Sequence, residues 1–452
     1  MGFWRATMKY FAILKDSLRE ALDSKVLYVL LGLTLLIILF VATISFKPLA
    51  AEKTLKQVVD GTMSAILEAM KADAQDEKRK KRADKDNPFA AFEVSPYSLE
   101  RATVLRGEPD APDSDYVLTI SKMYINEASA EKARKNPEAD IEALRRHFTR
   151  LEEHGYFRIG KVSVSSQPPA KEFNVDFDME FLPTRAMRRL WLHEPSLFFG
   201  LVPLSRVDVP LGFQLFFIAQ LVLSMGSWIA VLLAVIITSF FIPNMLQKGS
   251  VDLLLVKPIR RGWLLLFKYI GGLSFILLLN AFAVVGIWFV LGLKSGLWAN
   301  WMLLLIPILT FFFAILYAVS TLMAVLTRST VTAILVTIGA WFCFFLVGTI
   351  HTVLEAEAHR ETQQKLPEEE RVVSNHWGRS LVSVVHRVLP RTTDLNQLSA
   401  LLIFSDFIAG GYLSPQQALT GDRNWWESFG VSLGFIVVML GLACWRFAMK
   451  DY

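Results

Sequence analysis

Long runs of apolar side chains interrupt this sequence, and they constrain its fold more than any other feature. A helix needs about 20 mostly apolar residues to cross roughly 30 Å of hydrocarbon. Six segments are long enough: Val26–Phe46, Leu211–Ile242, Trp263–Leu293, Trp301–Leu326, Val331–Leu354 and Ser428–Phe447. The composition of the chain, with 53% hydrophobic and only 20% charged residues, excludes a single soluble enzyme domain. The sequence therefore predicts an α-helical integral membrane protein with six transmembrane helices.

The distribution of charged residues predicts the orientation of these spans. Six crossings place both termini on the same side of the membrane. If that side is the cytoplasm, the inner segments hold 13 of the 47 Lys and Arg residues and 5 of the 42 Asp and Glu residues. Basic residues accumulate in short cytoplasmic segments. We therefore expect a multi-pass protein of the inner (plasma) membrane with cytoplasmic termini, and we expect no nucleic-acid partner despite the pI near 9.0.

Two segments beside the first span have patterns of their own. Residues 1–25 carry apolar side chains at helical spacing among basic ones, which predicts an amphipathic helix on the inner leaflet. Residues 47–210 are long enough for a domain. Their patterns predict a helix over Ala139–His154 and strands over Tyr116–Lys122, Phe157–Val164 and Phe173–Phe181. We therefore expect an extracytoplasmic α+β domain between spans one and two. At the start of this segment, Leu55–Met70 should form a helix that continues outward from the first span and could pair as a coiled coil.

A second large outer segment, residues 355–427, separates the last two spans. Its acidic beginning, Glu355–Glu370, is expected to lack regular structure. Leu381–Leu389 and Leu395–Ile408 are apolar enough for short helices that lie on the outer leaflet or dip into it. The remaining tail, residues 448–452, is expected in the cytoplasm.

Motifs for catalysis or metal binding are weak throughout. Gly155–Val162 nearly matches a phosphate-binding loop, but Val162 replaces the required Ser or Thr and the following residues are strand-like. His351 and His359 are eight residues apart, and an ordinary interfacial pair is favoured over two metal ligands. Cys343 and Cys444 lie in apolar blocks. Polar residues within the spans are few, and helix packing is favoured over a transport path for them: Gln214, Gln220, Asn280 and Lys268. We expect no catalytic residue, metal or cofactor on this chain.

The inner segment between the second and third spans, residues 243–262, is the most informative stretch. Ser250 can cap a short helix with Asp252 in its first turn, and Pro258 stops that helix. Arg260 and Arg261 follow at the carboxyl end, where cations suit the helix dipole. This pattern predicts a short, partly apolar helix at the cytoplasmic face. It could be a well-capped turn between two spans, or a coupling helix that inserts into a groove on a soluble motor.

Residues Lys248–Arg261, followed by Leu265–Gly271, resemble a family pattern. The pattern is Glu-x-Gly-Thr-x-x-x-Leu-Leu-x-x-Pro-Val/Ile-x-Arg followed by Leu-x-x-Lys-x-x-Gly. It is typical of type-2 exporter ABC transporter permeases, including the sodium-exporter and nitrous-oxide-maturation permeases. Gln247 stands where many members have an acidic residue, and the resemblance covers the membrane part. Leu389-Pro390 and Asp394-Leu395 before the last span also agree with the family.

The resemblance implies partners and a site. Two permease copies, identical or different, would form the pathway in the lipid bilayer, and cytoplasmic ABC ATPase subunits carrying ATP and magnesium would drive it. The ATPase would dock on eleven residues: Lys248, Gly249, Ser250, Asp252, Leu253, Leu254, Leu255, Lys257, Pro258, Arg260 and Arg261. Two other hypotheses stay open. The same machinery could do mechanical work on an envelope partner through residues 47–210, or the chain could be a membrane anchor or sensor without an ATPase. The transported substrate is not indicated.

Overall fold

The computed structural model describes residues 25–60, 97–153, 155–166, 173–204, 208–225, 235–236, 261–364, 376–409 and 425–449. These residues form two separate hydrophobic cores. One core is built from apolar helices, and the other belongs to an α+β domain in the N-terminal half. The predicted amphipathic helix at residues 1–25 lies outside the described residues apart from Lys25.

Twelve α-helices and eight strands make up the described part, in this chain order: α1 (Lys25–Ala42), β1 (Ser45–Pro48), α2 (Ala51–Val59), β2 (Tyr97–Arg106), β3 (Asp115–Met123), α3 (Glu127–Lys135), α4 (Glu138–Glu153), β4 (Phe157–Val164), β5 (Asn174–Pro183), α5 (Met187–Leu190), β6 (Leu192–Leu197), β7 (Val202–Pro203), β8 (Val209–Pro210), α6 (Leu211–Ala219), α7 (Arg261–Ser295), α8 (Leu305–Thr327), α9 (Thr330–Gln364), α10 (His376–Val388), α11 (Thr392–Phe404) and α12 (Trp425–Met449). Short 3-10 turns cover Phe198–Gly200 and Asn300–Leu304, and α6 and α11 continue as π-helical segments, Gln220–Met225 and Ser405–Ala409.

Four described helices are long and apolar enough to cross a membrane: Gly262–Ser295, Asn300–Thr327, Thr330–Leu354 and Trp425–Met449. They match the last four predicted spans. Helices α1 and α6 are apolar but shorter within the described residues. The first span was predicted to reach Phe46, which is wrong, because the helix ends at Ala42 and the chain then pairs with β6 as strand β1.

Helix α8 is the central helix of the bundle. Its side chains are largely buried by α7, α9 and α12, and Phe313 and Tyr317 are completely enclosed. The Tyr269 ring of α7 stacks on Tyr317 with centroids 5.0 Å apart. Asn280 Nδ2 of α7 donates to Thr310 Oγ1 of α8 at 3.1 Å. The polar side chain of Asn280 therefore joins two neighbouring helices, as expected of a packing residue.

The α+β domain is built on a four-stranded antiparallel sheet in the order β2-β3-β5-β4. Strand β5 pairs with both β3 and β4, and Ile120 lies opposite Phe177. Helix α4 packs its Leu144 and Phe148 into the same core as Phe177. The three predicted strands and the predicted helix are confirmed within two residues at each end. The sequence did not predict β2, α3 or the short strands β6, β7 and β8.

Two helix predictions need correction. Helix α2 ends at Val59, and residues 61–70 of the helix predicted over Leu55–Met70 lie outside the described residues. Strand β1 separates α2 from α1, so α2 does not continue the first span. Glu355–Glu370 was expected to lack regular structure, but α9 runs on to Gln364. The sequence there, Glu-Ala-Glu-Ala, consists of strong helix formers, so helix propensity decided the outcome over charge density.

Gly155–Val162 is a turn entering strand β4, which excludes a phosphate-binding loop.

A small sheet joins the α+β domain to the bundle. Strand β1 directly follows α1, strand β8 directly precedes α6, and both pair with β6. The chain therefore leaves the bundle and returns to it along the two sides of one strand. We call this end of the bundle the domain end, and the opposite end, where α7 begins at Arg261, the loop end.

Candidate functional site

The sequence-predicted docking segment falls almost entirely outside the described residues. Of its eleven residues only Arg261 is described, as the first residue of α7. The adjacent Gly262 carbonyl accepts a weak hydrogen bond from Cys444 Sγ of α12 at 3.5 Å. The loop therefore attaches where the loop ends of α7 and α12 contact each other. The docking role itself stays a prediction.

At the domain end, the described residues form a dense junction between the α+β domain and the bundle. Leu211, the first residue of α6, donates its backbone N–H to Trp191 O at 2.9 Å. Gln214 Nε2 donates to His193 O at 2.5 Å and to Val209 O at 2.7 Å. Helix α6 starts directly after Pro210, and these bonds fix its first turn to strand β6 of the small sheet. Gln214, predicted as an intramembrane polar residue, lies at this boundary.

Arg189 and Asp406 form the centre of this junction. Arg189 Nε of helix α5 donates to the backbone carbonyl of Asp406 at 3.1 Å, in the segment after α11. The Asp406 carboxylate accepts from the backbone N–H of Met302 at 2.9 Å, in the turn that leads into α8. One residue therefore joins the domain, the α11 segment and the central helix. We call Arg189, Asp406 and Met302 the junction triad.

Burial controls the electrostatics of this triad. It raises the pKa of Asp406 from 3.8 to about 6, against backbone hydrogen bonds from Met302 and Trp301 and the charge of Arg189. Burial also lowers the pKa of Arg189, whose charge additionally faces the Tyr156 hydroxyl. Each group is held in a site that disfavours its charge, and each offsets part of the other's desolvation cost.

Two further contacts extend the junction to the turn between α7 and α8. Gly296 in that turn has a φ of 70°, and a Cβ atom there would collide with the Arg188 guanidinium. Arg188 is held by Asp113 of the domain, with Nε 3.0 Å from both carboxylate oxygens. Lys294 Nζ at the end of α7 lies 4.9 Å above the Phe199 ring. The domain therefore contacts α6, the α7–α8 turn and the α11 segment.

Helix α11 dips among the long helices at the domain end. Its Leu395, Leu398 and Leu402 belong to the bundle core, so it does not lie on the surface. Asp394 Oδ2 accepts from Ser428 Oγ at 2.5 Å, which fastens the start of α11 to α12. Arg391 pairs with Glu427 at 2.5 Å, and its backbone N–H donates to Ser432 Oγ. Asp394 and Leu395 are the residues that the family resemblance picked out.

The histidine pattern differs from the sequence prediction. His351 of α9 stacks on His386 of α10, with centroids 3.8 Å apart and rings nearly parallel. The sequence had paired His351 with His359, eight residues along the same helix. Among the described residues, no group of three or more His, Cys, Asp or Glu side chains is placed to hold a metal ion.

The junction triad was not predicted. Arg189 follows a second arginine in a short helix, and nothing in that sequence distinguishes it. Asp406 carries the stronger signal, because it is the one acidic residue in the apolar run Leu401–Ile408. A carboxylate in an apolar run needs a polar partner, so Asp406 could have been recognised as a candidate from its sequence context.

The fold defines a multi-pass membrane protein with an inserted α+β domain, a central buried helix and a short helix dipping between the long ones. Comparison with protein families identifies it further. The model of the ABC-2 family transporter protein matches residues 11–452, and the chain belongs to that family. The match includes the α+β domain, whereas the sequence resemblance was restricted to the membrane part. The search of curated proteins found no match.

Proposed function

We propose that this chain is the membrane-spanning permease subunit of an ATP-driven exporter. Family membership across residues 11–452 is the observation that carries the proposal. In the proposed topology, six helices cross the inner membrane, both termini are cytoplasmic and the α+β domain is extracytoplasmic. ATP and magnesium bind to separate cytoplasmic ATPase subunits, and a second permease copy completes the pathway. Family members are membrane transport components, so we assign no catalysis to this chain.

The ATPase would dock on residues 248–261 at the loop end. In this proposal Leu253, Leu254 and Leu255 fill a groove on the ATPase, and Lys257, Arg260 and Arg261 make charge-assisted contacts around it. Movement of this segment would reach α7 directly, because α7 begins at Arg261. The contact between Gly262 and Cys444 would pass it to α12.

Co-purification tests the docking role. The tagged protein is isolated in mild detergent from its own cells beside the variant Leu254→Asp/Arg261→Glu, and the bound ATPase is measured. A matched control makes the same substitutions at exposed positions of strand β2, Leu105→Asp/Arg106→Glu. We expect the ATPase with wild type and control, and its loss with the docking variant. Equal capture by all three would contradict docking at this loop.

A second function is favoured by the junction at the domain end. The α+β domain is fastened to the bundle through buried hydrogen bonds at Arg189, Gln214 and Trp191. A domain attached in this way suits a subunit that converts ATP-driven movement into mechanical work on an envelope partner. In that case the domain recruits or activates the partner and nothing is transported.

The structure provides a clean deletion to separate the two functions. Leu49 donates its N–H to Leu192 O at 3.0 Å, so β1 and β6 are neighbours at the base of the domain. Replacing residues 51–190 by a four-residue turn would keep this pair and the Trp191 contact to α6, and Asp406→Asn is added because the deletion removes its partner Arg189. A permease should keep nucleotide-dependent ATPase coupling and basal transport after this deletion. A mechanical transducer should keep the ATPase but lose all cellular function.

A further inference from the structure

We propose that Arg189 and Asp406 are positioning residues that transmit movement between the bundle and the α+β domain. The inference rests on the proposed function and deepens it, because it names the link through which ATP-driven movement reaches the domain. Neither residue belongs to the predicted docking segment. Both lie at the domain end, and the docking segment attaches to the loop end.

Hydrogen bonds connect the domain to the central helix through these two residues. Arg189 lies in α5, between the main sheet of the domain and strand β6. Its guanidinium reaches the Asp406 carbonyl, 217 residues along the chain. The Asp406 carboxylate then holds Met302, three residues before α8 begins. Because α8 is the central helix of the bundle, a shift of its first turn is passed to the domain by two successive hydrogen bonds.

The backbone around the link is closely packed. Gly212 of α6 is wedged between two backbone carbonyls, those of Phe407 and Arg189, and a Cβ atom there would overlap the Phe407 carbonyl. The residues on each side of the link are therefore in contact through the backbone as well. Packed elements of this kind move together and do not deform gradually. The domain and the α11 segment should then move as one unit.

Burial strengthens the dependence of Arg189 and Asp406 on each other. A charged contact on the protein surface would contribute little to the coupling of two elements, because water competes for both groups and salt screens their charges. Arg189 and Asp406 are both mostly buried, so removing one leaves a buried charge without its compensation. This makes the link sensitive to single substitutions, as a mechanical connection between two bodies requires.

A distance measurement on the full complex tests the link. Spin labels are placed at Ile125 in the domain, which is fully exposed, and at Val331 at the loop end of α9, which is 66% exposed. In the labelled protein Cys343 is replaced by Ala and Cys444 by Ser, whose hydroxyl group can still donate to Gly262 O. It is reconstituted with its ATPase in lipid nanodiscs, and the distance distribution is recorded with and without ATP and vanadate. Wild type should show a nucleotide-dependent shift, and Arg189→Gln should reduce that shift at least twofold.

Further variants keep the test decisive. Asp406→Asn keeps an acceptor for Met302 but removes the negative charge, so it should also weaken the shift. Arg189→Lys keeps the positive charge and should show at least half of the wild-type shift. Lys122→Gln breaks an ion pair of similar burial inside the domain, Lys122–Asp140, and should leave the shift unchanged. An unchanged shift in both Arg189→Gln and Asp406→Asn would overturn the link, and so would the absence of any shift in wild type. Failure of the wild type to capture an ATPase would instead contradict the proposed function.

Discussion

Gly212 shows how a single residue can determine whether the domain fits the bundle. Its hydrogen occupies the space where a Cβ atom would meet the carbonyls of Phe407 and Arg189. Backbone cannot yield as a flexible side chain does, so overpacking here forces two elements apart. Gly434 on α12 is the matched control, because nothing lies within 4 Å of a Cβ atom there.

We expect Gly212→Ala to lower the free energy of unfolding by about 1–3 kcal/mol. Gly434→Ala should be neutral or slightly stabilising, because alanine has the higher helix propensity. Thermal unfolding of both variants in the same detergent measures the difference. Equal melting temperatures would contradict the close approach at Gly212.

Asp406 predicts a pH dependence of stability. Its pKa is raised to about 6 in the folded protein, from 3.8, so the fold favours the neutral carboxyl group. The stability contributed by the neutral form is complete below about pH 4 and is lost as the pH rises through about 6. Arg189 is the charged group that faces this carboxylate, and it stays protonated throughout this range.

Wild type should therefore lose about 1–3 kcal/mol of unfolding free energy through Asp406 between pH 4 and pH 7. Asp406→Asn should lack this component and show a flatter profile. Melting temperatures of the two proteins across this range provide the comparison. A wild-type profile no steeper than that of Asp406→Asn would show that the carboxyl group does not titrate as described.

At the scale of elements, the start of α11 depends on its attachment to α12. Asp394 is buried and accepts from the Ser428 hydroxyl. We expect Ser428→Ala to cost about 1–2 kcal/mol, because a buried carboxylate loses a donor. Ser383→Ala is the control, because Ser383 Oγ donates to Ser380 O within α10 in a hydrogen bond that is exposed to solvent. Thermal unfolding should separate the two variants, and equal effects would mean that the Asp394 contact is not stabilising.

The same scale shows which elements can be predicted from sequence. Helices α7, α8, α9 and α12 follow from hydropathy alone, because lipid demands apolar length. Strands β3, β4 and β5 follow from the alternation of apolar and polar residues along the sequence. Strand β2 was missed because most of its residues after Leu99 are exposed on both faces, so its burial does not alternate. The end of α1 was missed because the strand that stops it pairs with residues almost 150 positions away.

At the scale of the whole molecule, the candidate sites divide between the two ends of the bundle. The docking segment is a prediction from sequence, since its capping residues, leucines and arginines are contiguous there. The junction triad could not, because Arg189, Met302 and Asp406 come together only through the fold. Local sequence patterns therefore predict the segment that the ATPase would move. Only the tertiary structure shows the contacts that link the bundle to the α+β domain.

Site-specific photo-crosslinking tests the central claim most directly, because it does not perturb the loop by charge. A photoreactive residue replaces Leu254 in the docking segment, and in a control protein it replaces the exposed Leu105 of the domain. Native membranes are irradiated, and crosslinked products are identified by mass spectrometry. Our account predicts that position 254 captures an ATP-binding subunit and that position 105 does not. A docking segment that crosslinks no ATPase, in membranes where the protein is active, would contradict it.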